Sequence, residues 1–233
     1  MQKIRSLPQS AFEKVLLERQ QFKEAIQQLE QTTKFEEERL FKQQVKMRYG
    51  TVQNSPFKAI SGKVTVNGDI FEALQFDLKP RDVSPEMSKE QRQGCLCRYS
   101  YFQTKEDEEY ANRVADFKQI AFVFHQVQDI PILFVTNRES VALRFTENAS
   151  ETELRKYYVY THHCEPGVQF CSKALRTALL SFNCYEEAGS GQFTASTFFH
   201  CDPQGNIPAP IFNMQLEGQM AYLLDLKKFV EDK

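Results

Sequence analysis

Three places in the chain gather side chains able to do chemistry. The run THHC sets His162, His163 and Cys164 side by side. Imidazole and thiolate are zinc ligands, and a thiol next to a histidine is a nucleophile next to its base. The spacing serves neither use. Successive residues of a strand point to opposite faces, so three in a row cannot close on one ion, and no C-x-x-C pair or glycine-bounded nucleophile elbow occurs elsewhere. The second place is Arg138, whose permanent charge interrupts the apolar run QDIPILFVTNRESVALRF. Buried, such a group needs partners or costs several kcal/mol; at a strand end it reaches water instead. The third is CDPQGNIPAPIFNMQ, residues 201–215, where Pro203, Pro208 and Pro210 stiffen the approach to an apolar segment.

Composition narrows what these groups can do. A chain of 233 residues with 41% hydrophobic and 12% aromatic content can bury a sizeable core, as one domain with an appended segment. With 29 Lys+Arg against 31 Asp+Glu, no global field draws nucleic acid or an anionic membrane. Neither G-x-x-x-x-G-K-[ST] nor G-x-G-x-x-G is present, so no nucleotide site is implied. No run reaches the roughly 18 apolar residues of a spanning helix, and MQKIRSLPQS lacks an apolar signal core. The expectation is a cytoplasmic protein whose membrane contact is peripheral. Six cysteines at this length read as reduced thiols. No cofactor, metal or enzymatic activity is expected.

The surrounding elements follow from periodicity. Ser10 and Glu13 have capping-box spacing, and Phe12, Val15, Leu16, Phe22, Ile26 and Leu29 form an amphipathic stripe. Arg19 and Thr33 interrupt its heptads, so two helices or one broken helix are expected, with a second capping box at Thr33 and Glu36. KAISGKVTV reads as a half-buried strand, and Ile70, Phe71, Leu74 and Leu78 as one face of a helix capped by Asp69. KPRDVSPEMSKEQRQG reads as a loop and TKEDEEYANR as a weak, solvated helix. FKQIAFVFHQV, SVALRF, KYYVYTHHC, ALRTALLSFNCYEE and GQFTASTFFHC are strand-like and separated by turns, the pattern of a large antiparallel sheet. After Pro208 and Pro210, Ile211, Phe212, Leu216, Met220, Leu223, Leu224 and Val230 recur near the helical period.

Taken together, NRESV, LRTAL and DPQGNIPAPIFN resemble, in order and spacing, motifs of the steroidogenic-acute-regulatory-related lipid-transfer (START) domain. The similarity covers about residues 117–216. The chain departs from the family at Gln204, where a glycine is usual, and at Pro210, where a tryptophan is usual. The resemblance implies a helix-grip α+β fold, in which a curved antiparallel sheet wraps a long C-terminal helix and encloses one lipid, with N-terminal helices at 1–48 and the lipid-binding domain at 49–233. It implies that Arg138, with Asn137 beside it, meets the lipid head group, and that His125 or Gln126 is its polar neighbour. Phe199 of the sheet and Phe212, Leu216 and Met220 of the last helix then lie against the aliphatic part. The partners implied are a phospholipid or sterol and, transiently, a membrane surface. The alternative is an interaction module that binds a protein partner through its N-terminal helices. A thiol-dependent enzyme on the same fold is the third reading.

Overall fold

The computed structural model describes residues 7–84, 86–88, 95–130, 135–167, 170, 173–189 and 191–232. Pro131, Cys171, Ser190 and residues 89–94 of the expected loop lie outside these. The chain opens with α1 (Gln9–Leu17) and α2 (Arg19–Thr32), broken at Glu18. Pro8, not Ser10, begins α1: its carbonyl accepts the N–H groups of Ala11 and Phe12, which leaves Ser10 inside the first turn. The capping box at Thr33 does not form either. Thr33 ends α2 in an extended conformation and donates its hydroxyl back to Leu29 O at 2.6 Å, while Glu36 pairs with Lys58.

Strands follow at once: β1 (Lys34–Phe35), β2 (Arg39–Phe41) and β3 (Val45–Thr51). The N-terminal 48 residues are therefore helical only to Thr32, and the remainder pairs into the sheet. Next come β4 (Ala59–Asn67), α3 (Ile70–Leu78), β5 (Cys95–Phe102) and α4 (Lys105–Asn112). Asp69 caps α3 by accepting from Phe71 N at 3.1 Å, and Thr104 caps α4 by accepting from Asp107 N. The long strands are β6 (Ala121–Gln128), β7 (Arg138–Asn148), β8 (Lys156–His163), β10 (Ala178–Gly189) and β11 (Gln192–Asp202), with a short β9 (Leu175–Arg176). Two helices end the chain, α5 (Ala209–Gln215) and α6 (Gly218–Glu231).

All the strands form one curved sheet in the order β1-β3-β4-β11-β10-β8-β7-β6-β5, with β2 on β3 and β9 on β7. Among the described residues every strand pairing is antiparallel except β7 with β9. The concave face holds α3 and α6. There Met220, Leu223, Leu226 and Val230 of α6 meet Val45, Ile60, Val64 and Val66. Gly62 admits this approach, because a Cβ would sit 2.3 Å from the Met220 sulfur. The convex face is closed by α1 and α2, whose Phe12, Val15 and Ile26 are buried with Val141, Leu143, Tyr160 and Phe198. One sheet thus carries two cores, and alternation along each strand decides which core a residue enters.

Candidate ligand-binding site

The apolar packing under α6 does not continue beneath α5. There a cavity of about 340 Å³ opens between α5, the start of α6 and the concave face, a volume within the roughly 300–1,000 Å³ usual for ligand sites. Pairing register places its polar walls. Arg144 of β7 faces Thr161 of β8, Thr161 faces Ser181 of β10, and Ser181 faces Phe199 of β11, so one row of cross-strand partners crosses the floor. A second row runs from Asn183 to Thr197, and Gln126 lies opposite Ser140. Phe124, Phe199, Phe212 and Leu216 supply most of the apolar wall.

A polar network closes the inner end. Asp77 of α3, 5% exposed, accepts from Arg144 Nη1 at 3.3 Å, from Asn183 Nδ2 at 2.8 Å and from the Tyr185 hydroxyl at 3.1 Å. Tyr222 of α6 joins through Asn183 at 3.1 Å and Tyr185 at 2.8 Å. Burial, with Asp77 adjacent, pushes the Tyr185 and Tyr222 hydroxyls well above their ordinary range, so both stay protonated and available as donors. Arg144 also donates Nε–H to Thr161 Oγ1 at 3.1 Å. The network thus pins α3 and α6 to the sheet.

Of the residues expected from sequence, Gln126, Phe199, Phe212 and Leu216 line this cavity. The other four lie elsewhere. Arg138 is 3% exposed and is held by backbone carbonyls: Nε donates to Pro203 O at 2.5 Å, Nη2 to Gln204 O at 2.8 Å, and Nη1 to Thr136 O. It fastens the 203–205 turn to the start of β7. Gly205 in that turn has φ 68°, and a Cβ there would meet Leu175 at 2.6 Å. Gln204 precedes it, also left-handed at φ 57°, where glycine has less strain. Asn137 accepts from Ile130 N at 3.2 Å and braces the same end. His125 points to the convex side, one residue out of phase with Gln126, and its Nε2 is 3.1 Å from Glu139 Oε1. Met220 is fully buried against Gly62.

Arg144 is the cationic side chain the sequence reading missed. It lies six residues beyond Arg138 on β7, hence on the same face, so alternation along RESVALRF was the available signal. The cavity thiol is a poor nucleophile: burial raises Cys201 to about 12. His162 stacks on Phe22 of α2 at 4.1 Å, on the convex side and away from the cavity.

A curved antiparallel sheet with a C-terminal helix in its grip is the START-like fold, and solved structures agree. The chain is similar to human StAR-related lipid transfer protein 5 at TM-score 0.64 and 14% identity, covering 93% of this chain and 97% of that one. It matches the human StarD13 (DLC2) lipid transfer and protein localization domain at TM-score 0.60 and 14% identity, covering 92% and 96%. Human STARD10 matches at TM-score 0.59 and 12% identity, covering 91% and 78%. No family model matches the sequence, and no curated protein matches it.

Proposed function

We propose that the protein binds one lipid between α5 and the concave face and carries it between membranes without chemical change. The cavity beneath α5 carries this reading: it lies between the sheet and the C-terminal helices of a fold shared with StAR-related lipid transfer protein 5 and the StarD13 lipid transfer and protein localization domain. Moving an acyl chain from bilayer to water costs about 0.8 kcal/mol per methylene, so a protein wall that replaces water lowers the barrier to exchange. Gln126 and Arg144 on the cavity wall suit a polar head group, and Phe199, Phe212 and Leu216 the first part of a chain.

The wall that moves is α5. It has no buried residue, whereas α6 buries Met220, Leu223, Leu226 and Val230 and is tied to Asp77 through Tyr222. Ile211 is 43% and Met214 80% exposed on α5, an apolar outer face able to enter a membrane surface as the helix lifts. The N-terminal helices spend their apolar stripe on the chain's own sheet, which counts against a protein partner docking there. No described helix is long and apolar enough to cross a membrane. Mass spectrometry of an organic extract of purified protein is the test: near-stoichiometric lipid is expected. Folded protein that retains no lipid, and takes none from vesicles, contradicts the reading.

A further inference from the structure

Beyond Phe124 and Arg144 the cavity adjoins a second depression of about 280 Å³, and the two share Gln126, Gln219 and Tyr222 as walls. The lining of the second holds Lys79, Arg81, Arg98 and Arg144 against a single carboxylate, Asp77. That carboxylate is already occupied by Arg144, Asn183 and Tyr185. Asp82, nearby, accepts from the Ser100 N–H. Arg81 lies over the Phe76 ring at 4.1 Å and donates to Phe76 O. Arg98 donates Nε–H to Gln126 Oε1, at 3.2 Å, and also has the Cys95 thiol as a side-chain partner. Arg98 and Arg144 stand 6.0 and 5.7 Å from the centroid of the same ring, Phe124. Neither Arg81 nor Arg98 has a carboxylate partner within ion-pair distance among the described residues. Burial foremost lowers the Arg98 guanidinium below its ordinary value; Cys95 partly offsets this, and the charges of Arg144 and Arg81 add to it.

Like charges gathered at one half-buried place repel one another, and an anion between them relieves that repulsion. Planar guanidinium forks match two oxygens of a phosphate at once. We propose that this depression binds the phosphate ester of the ligand, with the rest of the molecule passing Phe124 and Arg144 into the larger cavity, so that the cargo is an anionic amphiphile rather than a neutral lipid. The inference rests on the lipid-binding reading and narrows it to a chemical class. The same chemistry occurs in a soluble phosphate ester, and the experiment separates the two sources.

Wild type and the Arg81→Gln/Arg98→Gln variant are incubated with phosphatidylcholine vesicles containing an equal mole fraction of phosphatidic acid or of diacylglycerol with the same acyl chains. Protein is separated from vesicles and its lipid quantified; glycerol 3-phosphate is titrated separately by calorimetry. Wild type is expected to enrich phosphatidic acid about tenfold over diacylglycerol, and the variant to lose that preference while taking up diacylglycerol unchanged. Arg81 is exposed, so Arg81→Gln alone carries the test if the double variant does not fold, and Arg98→Lys is expected to keep part of the preference. Glycerol 3-phosphate binding that the variant loses, with no lipid taken up by either protein, keeps the phosphate site, assigns it to a soluble ester and overturns the lipid reading. Equal uptake of both lipids, unaffected by the variant, overturns the phosphate site and leaves lipid binding standing. Uptake of no lipid at all, phosphatidylcholine included, together with no binding of glycerol 3-phosphate, overturns both.

Discussion

On β10, Phe182 and Cys184 point into the convex core while Ser181 and Asn183, their immediate neighbours, point into the cavity; on β8, Tyr158 and Tyr160 stand against Thr161 in the same way. The convex face is a stack of rings. Phe145 lies 5.2 Å from Tyr160, Tyr158 5.3 Å from Tyr160, and Phe182 5.8 Å from Phe198, under α1 and α2. Across the concave face, the same strands change from apolar packing under α6 to hydroxyls, amides and Arg144 under α5. Alternation lets one strand serve both, so the convex side supplies stability and the α5 end of the concave side is left free of such packing, where the ligand is proposed to bind.

Substitutions that separate stability from ligand uptake sharpen this contrast. The largest effect is expected from Phe145→Ala, which empties a fully buried site of the convex core. It should cost about 4 kcal/mol in denaturant unfolding, with uptake per folded molecule unchanged. An equal loss of uptake in the folded fraction would show that the two faces are not independent.

Next in size is acid destabilisation. Burial lowers His162 to about 4 from its ordinary 6.5, and lowers His200 as well. Each is therefore held neutral in the folded chain. Their contribution is complete above pH 6.5, where both states are unprotonated, and is lost as the pH falls from there through the folded value. For His162 the loss is on the order of 3 kcal/mol. His162→Asn should flatten the stability profile between these limits, measured by chemical denaturation at each pH. An unchanged profile would place the acid sensitivity in other groups.

Arg138→Leu is expected to cost about 2 kcal/mol through loss of its charged hydrogen bonds to Pro203 O and Gln204 O, while leaving the lipid preference intact. Lost preference at unchanged stability would return Arg138 to the ligand. The smallest stability change is expected for Ser181→Leu, below about 1 kcal/mol, because the larger side chain enters open space. Uptake should nonetheless fall sharply in a vesicle assay. Normal uptake by this variant would move the ligand away from the β8–β10 floor.

These two arginines also show what a sequence can and cannot convey. The long strands, the Asp69 cap and the proline-led launch of the last helices are local signals, and they read correctly. Strand β3 was missed because charged and polar residues surround Val45 and Met47, although both alternate inward. The division at Leu216 and Glu217, which makes α5 a separate piece, leaves no mark in the apolar period. Arg138 stood out through its motif, yet its partners lie 65 and 66 residues away, so only the folded turn shows that they are carbonyls. Arg144 had no motif. Its role comes from the register of β7 on β8 and from Asp77, 67 residues earlier, and such non-local pairing sets the site more than any short pattern does.

The most direct test of the central claim is to load the protein from vesicles with a phospholipid carrying a photoreactive group in its acyl chain, illuminate it, and map the adducts by peptide mass spectrometry. Ligand held between α5 and the concave face should label residues 192–202 and 209–219, including Phe199, Phe212 and Leu216. Adducts confined to α1, α2 or the convex strands beneath them would contradict it.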